Sequence, residues 1–184
     1  MKLTLAWTAA ATAATAAAGG AATDPNSHWY KALRKPDWQP PAIAFPVVWT
    51  ALYADLAVTS AVALDSAARP NSTTTPARNE ASRATGYRDG QRRLRAYRGA
   101  LAANLVLNAS WSWFFWRSRR PWLAAAEAAV LAASSADLVR RTYQLNRPAG
   151  LSLAPYALWC GFATVLSASI ARLNPRPRRT LRLP

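Results

Sequence analysis

The sequence predicts an all-α protein, a bundle of five transmembrane helices with a Pro/Trp-rich lid loop between helices 1 and 2. Three observations lead to this fold class. Five apolar runs each approach the ~20 residues that a helix needs to cross a bilayer. Short arginine-rich connectors separate most of these runs. The mean hydropathy of -0.07 therefore averages strongly apolar segments with strongly polar ones. A proline-rich segment that still carries several aromatic residues lies between the first two runs.

Charge and composition narrow the class of protein. The 184 residues include 23 Lys and Arg against 8 Asp and Glu, a net charge of +15. A basic domain of this kind can bind nucleic acid. Here, however, the charges lie at the ends of apolar runs, which favours membrane flanks beside anionic head groups. We therefore expect a multi-pass integral membrane protein with membrane lipid, and no nucleic acid, as a partner.

The five runs and their connectors form one integral membrane domain over 1–184, because the length is typical of a single domain. The first run follows Lys2 and is rich in Ala and Thr, so a secretory signal peptide is an alternative reading of it. A polar, arginine-rich loop is expected over 65–95 and a basic tail over 174–184. The predicted spans are 3–22, 42–64, 97–116, 122–139 and 151–173.

The segment from Trp29 to Pro41 cannot be an ordinary helix or strand. Pro36, Pro40 and Pro41 remove backbone donors and push the preceding residues towards extended geometry. The same segment carries four large apolar or aromatic residues, which a solvent-exposed linker would not need: Trp29, Tyr30, Leu33 and Trp38. We predict that this loop covers the mouth of a cavity.

Polar residues inside the predicted spans need partners in the bilayer. Asn104, Asn108, Trp111 and Phe115 follow i, i+4, i+7 and i+11 and therefore share one helix face. Amides at that depth pair with other helices or with a bound polar ligand, and the spacing leaves both open. Two readings are open for Asp55. Its carboxylate faces a polar partner or a water-filled cavity, or it is a neutral, hydrogen-bonded group in a helix interface.

Three further side-chain placements follow from position along the spans. Asp137 lies beside Arg140 and Arg141, which predicts an interfacial ion pair. Trp113 and Trp116 are expected to face lipid or to sit in the interfacial belt.

The residues offer aromatic surfaces rather than reactive groups. The sequence contains no nucleophile–base pair, glycine-rich phosphate loop or metal-ligand cluster, so no metal site is expected. Trp49, Trp111 and Trp159 come from three different spans and could line a flat apolar slot. Asn108 and Glu127 would supply a few polar contacts to it. The alternative is that these tryptophans simply fill the core of the bundle.

Three motifs carry a resemblance to a known family. Trp29 to Tyr53 reads W-Y-x-x-L-x-K-P-x-W-x-P-P-x-x-x-F-x-x-V-W-T-x-L-Y, and Leu107, Asn108 and Trp111 read L-N-x-x-W. The run from Pro155 reads P-Y-x-x-W-x-x-F-A-x-x-L-S. These resemble the signature of the TspO/MBR family of translocator and tryptophan-rich sensory proteins, across nearly the whole chain except the arginine-rich loop and the tail.

The resemblance implies a membrane-embedded receptor or carrier for tetrapyrroles, acting in stress response or porphyrin homeostasis. Porphyrin or haem would be a ligand and no cofactor would be obligatory, because only His28 and Cys160 could bind haem iron strongly. The ligand-binding residues that the motifs and spacing together nominate are Tyr30, Trp38, Pro41, Trp49, Tyr53, Asn108, Trp111, Glu127, Trp159 and Ala163.

Two alternatives to a receptor stay open. The resemblance also implies a light-dependent porphyrin-degrading enzyme, for which Trp49 and Trp159 are the catalytic candidates, although a binding protein is favoured. The other alternative is a structural or partner-binding membrane protein. Such a protein would form a homodimer through the small-residue faces of the first, third and fourth spans.

Overall fold

A computed structural model describes residues 1–69 and 80–175, with side chains described over 1–69 and 86–175. The described residues form helices and connecting turns without any β-strand, which confirms the all-α class. The helices are α1 (Lys2–Ala22), α2 (His28–Ala32), α3 (Ala44–Ala68), α4 (Glu80–Ser112), a π-helix (Trp113–Arg117), α5 (Pro121–Leu145), α6 (Arg147–Ser152) and α7 (Ala154–Leu173).

Helix α4 is the largest departure from the sequence prediction. The third span was expected to begin at residue 97, but the helix begins at Glu80, and α3 runs on to Ala68. The predicted polar loop over 65–95 is therefore wrong for 65–68 and for 80–95. The physical reason is that Arg, Gln, Leu and Ala are good helix formers, so a polar composition does not by itself exclude a solvated helix. Residues 70–79 of that loop, and 176–184 of the tail, lie outside the described residues.

The last predicted span is divided in two. Asn146 caps α6 by accepting a hydrogen bond from the Ala149 backbone N–H at 3.0 Å. Helix α6 ends at Ser152, and α7 begins at Ala154 with Pro155 in its first turn. Proline has no N–H to donate and is suited to the first turn of a helix, which accounts for the break.

Helices α3 and α5 and the segment Arg147–Leu173 are long and apolar enough to cross a membrane. Helix α1 packs against α3 and α4, and α5 packs against α7 and α4. The small-residue face of α1 is buried in these contacts. Thr8 Oγ1 donates to the Ala57 carbonyl at 2.8 Å, and a Cβ on Gly19 would lie 3.2 Å from Ser112 Oγ.

Two of the acidic residues within the helices have polar partners in the structure. Asp137 accepts Arg140 Nη2 at 2.6 Å and Arg141 Nε at 2.5 Å, which confirms the predicted ion pair. Asp55 accepts a hydrogen bond from Ser152 Oγ at 2.7 Å, across the contact between α3 and α6. Ser152 is a polar partner and lies on another helix, so this contact is compatible with both readings left open for Asp55.

The loop after α1 is tied to the far end of α7. Asn174 Nδ2 donates to the Arg34 carbonyl at 2.8 Å, and Asn174 Oδ1 accepts from the Arg34 N–H at 3.0 Å. Lys35 Nζ donates to the Tyr30 carbonyl at 2.8 Å and lies 4.4 Å from the centre of the Tyr30 ring. The two Asn174 bonds hold the proline-rich segment against the bundle, whereas the Lys35 bond lies within the segment. Residues 29–32 are helical as part of α2, so the prediction that this segment is not an ordinary helix is wrong for them.

A Gly150→Ala substitution is expected to destabilise the bundle. The Cβ added at Gly150 would clash with Tyr143 Cα, so α6 would have to move away from the α5 backbone. Overpacking of this kind costs about 1–3 kcal/mol. Thermal unfolding in detergent should show a lower midpoint for Gly150→Ala.

The matched control is Gly161→Ala on α7, where an added Cβ meets no atom within 4 Å. Alanine has the higher helix propensity, so this variant should be neutral or slightly more stable. Equal midpoints for the two variants would contradict the close contact between α5 and α6.

Candidate ligand-binding cavity

One cavity of about 550 Å³ lies within the bundle, between α1, α3, α4, the π-helix and α7, and beside the proline-rich loop. Its wall is mainly apolar and aromatic, with few polar side chains, which is the usual make-up of a small-molecule pocket. The aromatic residues that line it are Tyr30, Phe45, Trp49, Tyr53, Trp111, Phe115, Trp116, Trp159 and Phe162.

The three predicted indoles line this cavity, and each is stacked on a neighbouring ring. Trp49 stacks on Tyr53 with ring centres 5.4 Å apart, and Trp159 stacks on Phe162 at 5.0 Å. Trp111 stacks on Phe115 at 5.4 Å, with their planes only 17° apart. All three indoles also pack against buried core residues, so they both line the cavity and help to fill the core around it.

A π-turn shapes the wall at the end of α4. The Ser118 N–H donates to the Trp113 carbonyl at 3.2 Å, which is the i to i+5 bond of a π-helix. Phe115 and Trp116 both line the cavity here. Of the two placements predicted for Trp116, facing lipid is wrong, and the interfacial belt stays a prediction. Trp113 is 48% exposed and donates to the Ala18 carbonyl at 3.2 Å.

Aromatic residues of the proline-rich loop pack against the aromatic wall. Trp29 lies edge-on to Phe115 with ring centres 5.6 Å apart, and Tyr30 lies 4.6 Å from Trp116. Trp38 lies edge-on to Phe162 at 5.9 Å. Tyr30 and Gln39 of this loop also line the cavity, so the loop forms part of the cavity wall.

A directed chain of hydrogen bonds runs below the indoles and joins four helices. Tyr53 Oη donates to Asn108 Oδ1, and Asn108 Nδ2 donates to Tyr156 Oη at 3.0 Å. Tyr156 Oη donates to Asn104 Oδ1 at 2.7 Å, and Asn104 Nδ2 donates to Ser135 Oγ at 3.0 Å. Both asparagines of the predicted polar face thus find their partners on other helices, one of the two options that the spacing left open.

Seven of the ten predicted binding residues line the cavity and three do not. Trp38 and Pro41 are exposed and lie outside the lining. Glu127 is buried on α5, where its Oε1 accepts from Ser110 Oγ at 3.1 Å, and it is absent from the lining. The seven lining residues are Tyr30, Trp49, Tyr53, Asn108, Trp111, Trp159 and Ala163.

The sequence prediction missed several wall residues. Phe45 and Phe162 belong to the aromatic motifs of the second and fifth spans, so their spacing from Trp49 and Trp159 was an available signal. Gln39 had no such signal, because its position depends on the path of the loop. Two polar atoms of lining residues are buried without a partner in the described part of the chain: Trp111 Nε1 and Gln39 Oε1.

Neither strong candidate for binding haem iron touches the cavity. His28 is exposed at the start of α2, and the Cys160 thiol is buried, 3.5 Å from Ser135 Oγ. Over residues 1–69 and 86–175, whose side chains are described, no group of three or more His, Cys, Asp or Glu side chains comes together as a metal site. The cavity can therefore offer stacking surfaces and single hydrogen bonds, but no iron ligand from these two side chains.

Comparison with known proteins gives the family. The chain is 29% identical to "Tryptophan-rich protein TspO" of Chlorobaculum tepidum over 151 residues, covering 82% of each protein. It is 29% identical to "Tryptophan-rich sensory protein" of Cereibacter sphaeroides, covering 84% of this chain and 82% of that one. It is 27% identical to "Translocator protein" of Homo sapiens, covering 85% of this chain and 80% of that one. The TspO/MBR family profile matches residues 7–173, so the resemblance is confirmed and the chain is a membrane protein of the TspO/MBR family.

Proposed function

We propose that this protein is a receptor or carrier that binds a planar tetrapyrrole in the aromatic cavity, as part of a stress response or of porphyrin homeostasis. The observation that carries the proposal is the wall of Trp49, Trp111 and Trp159, brought from three helices to one cavity of about 550 Å³. Wide aromatic surfaces bind flat, largely apolar rings through burial and stacking. The volume lies inside the ~300–1,000 Å³ range of small-molecule pockets.

The polar atoms of the wall suit a ring that has both donors and acceptors. Trp111 Nε1 is a donor, Gln39 Oε1 is an acceptor, and both lack a partner among the described residues. A buried polar atom without a partner costs free energy, which a ligand bearing the complementary group would recover. A tetrapyrrole carries N–H groups and ring nitrogens and can meet both needs. Porphyrin and haem are both candidate ligands, with no iron bond from the protein required.

The loop from residue 23 to residue 43 would act as a lid over this ligand. Tyr30 and Gln39 line the cavity, and the bond pair between Arg34 and Asn174 anchors the loop on α7. Helices α1 and α4 would complete a five-span bundle with α3, α5 and α7. The Thr-rich face of α1 and the asparagines of α4 are buried inside the bundle, where helix partners satisfy them.

Protoporphyrin titration tests the proposal. Purified protein in detergent should shift the absorption band of protoporphyrin, and a Trp49→Leu/Trp159→Leu variant should bind it more weakly. Each stacked indole contributes about 0.5–1.5 kcal/mol beyond area burial. Removing both should therefore lower the affinity for protoporphyrin by roughly 5- to 150-fold.

The matched control removes two tryptophans outside the cavity. Trp7 and Trp122 are 51% and 56% exposed, so Trp7→Leu/Trp122→Leu should bind protoporphyrin as the parent protein does. If the two double variants weaken binding to the same extent, the ring does not sit between the cavity indoles and the proposal fails.

A light-dependent porphyrin-degrading enzyme is the second candidate. The stacked Trp49–Tyr53 pair supports it, because an indole beside a phenol at the cavity wall can donate an electron to a light-excited ring. Illumination of the complex should then produce a new absorbing product that free protoporphyrin does not give, and Trp49→Leu should suppress that product. Identical bleaching with and without protein would leave only the binding role.

Homodimer formation stays a prediction. The small-residue face of α1 is buried within the chain, so the Ala-rich surface of α5 offers the more accessible contact for a second copy. Light scattering of the protein in detergent, with and without protoporphyrin, would measure the mass and any effect of the ligand on it.

A further inference from the structure

The arginine-rich part of α4 forms a separate charged surface far from the cavity. Arg88, Arg92 and Arg95 are exposed, and they line a shallow concavity of about 380 Å³ together with Tyr87 and Gln91. Gln91 Nε2 donates to Tyr87 Oη at 3.3 Å, which fixes the two polar neighbours together. Neither the tetrapyrrole proposal nor the aromatic motifs give these residues any role.

The three arginines share one face of the helix. At ~100° per residue, positions 88, 92 and 95 fall within an arc of about 60°. Tyr97 and Leu101, each 1% exposed, lie on the opposite side of the helix and pack into the bundle. The arginine face is therefore turned away from the described part of the bundle.

This face lies at the polar end of the bundle. Gly90 packs beside the Ala67 carbonyl at the end of α3, and Tyr97 Oη lies 3.3 Å from Ser60 Oγ. The face is thus level with the last two turns of α3. The ion pair between the Met1 ammonium and Asp65, at 3.1 Å, lies in the same two turns. Such a layer corresponds to the head-group zone, which adds about 5–7 Å to each side of the hydrocarbon core.

Among the residues with described side chains, no acidic partner accounts for the positions of the three arginines. None of the ion pairs among residues with described side chains includes Arg88, Arg92 or Arg95. The acidic residue within 86–98 is Asp89, which lies about 100° around the helix from Arg88. Like charges at i, i+4 weaken a helix, so an external anion on this face would stabilise it.

We propose that the outward face of α4 formed by Arg88, Arg92 and Arg95 binds the phosphate of an anionic phospholipid. Guanidinium groups match phosphate oxygens with paired hydrogen bonds. Clustered basic residues beside a membrane segment recognise anionic lipid head groups. The face is at head-group depth and turned outward, where lipid is the neighbour. A lipid therefore fits this position better than nucleic acid or free phosphate does.

The test uses the full chain in a neutral detergent, with phosphatidylglycerol and phosphatidylcholine as probes and native mass spectrometry to count bound lipid. The parent protein should retain phosphatidylglycerol in preference to phosphatidylcholine. Arg92→Gln/Arg95→Gln should weaken phosphatidylglycerol binding on the order of tenfold or more. Lysine at both positions should restore part of the affinity, because lysine keeps the positive charge but lacks the paired N–H donors of a guanidinium group.

The control variant Arg93→Gln/Arg98→Gln removes the same charge from the same stretch of helix, at positions about 130° and about 90° from the centre of the arginine face. It should bind phosphatidylglycerol within about twofold of the parent, because it reduces only the long-range electrostatic attraction between the positive protein and the anionic lipid. Equal losses in the two variants would mean diffuse attraction and would overturn the site. Displacement of the lipid by equimolar inorganic phosphate, or tighter binding of a single-stranded oligonucleotide that the same variant loses, would also overturn it.

Discussion

Replacing Ala163 with phenylalanine is expected to abolish most protoporphyrin binding while leaving the fold intact. Ala163 lines the cavity on α7, one helical turn from Trp159 and beside Phe162. A ring at this position would occupy the space that the ligand needs. Overpacking costs about 1–3 kcal/mol. If this free energy destabilises only the complex with the ligand, the affinity for protoporphyrin falls by roughly 5- to 150-fold. Titration of Ala163→Phe with protoporphyrin measures the loss.

The matched control places the same ring two residues further along the same helix. Val165 is 58% exposed and points away from the cavity, so Val165→Phe should bind protoporphyrin normally. Unfolding midpoints of both variants show whether the bundle tolerates them. Normal binding by Ala163→Phe would mean that the ligand lies elsewhere, and the tetrapyrrole proposal would lose its site.

The second large effect concerns the hydrogen-bond chain below the cavity. Asn104→Leu and Tyr156→Phe should each lower stability by about 1–3 kcal/mol, because each leaves a buried donor or acceptor without its partner. Asn104 and Tyr156 are both fully buried, so water cannot replace the lost bond. Thermal or denaturant unfolding in detergent gives the cost of each variant.

A double-mutant cycle separates the free energy of this hydrogen bond from the effect that each substitution has on packing. If the bond between Tyr156 Oη and Asn104 Oδ1 dominates, the double variant should cost clearly less than the sum of the two single variants. Tyr143→Phe is the control, since Tyr143 is 41% exposed and its hydroxyl makes no hydrogen bond within the described residues. Strict additivity of Asn104→Leu and Tyr156→Phe would argue against a coupled chain.

Helical spacing was enough to predict the wall of α7 and much of that of α3. Helical spacing places five residues on one face of α7: Tyr156, Trp159, Ala163, Leu166 and Ile170. The last four line the cavity, whereas Tyr156 is fully buried beside it. Phe45, Trp49, Leu52 and Leu56 share a face of α3 in the same way, and the two leucines are buried below the two cavity-lining aromatic residues. A period of 3.6 residues fixes which side chains share a face, so these groupings follow from the order of residues alone.

The same spacing did not determine which face of α5 meets the cavity. Glu127 was expected to give a polar contact, but it turns to Ser110 on α4, and only Leu131 of α5 lines the cavity. Helical periodicity fixes directions around the axis of one helix. It does not fix how that helix is rotated against its neighbours, which depends on side-chain packing in three dimensions.

The sequence by itself determined the apolar runs, the proline-rich segment and the family motifs, because burial in a bilayer and proline chemistry act on local composition. The tertiary structure alone decided three other features: the place of Trp116 in the cavity wall, the partners of Asn104 and Asn108, and the helical state of 80–95. Each of these depends on contacts between residues far apart in the chain, or on a balance between helix and loop. Composition leaves both undetermined.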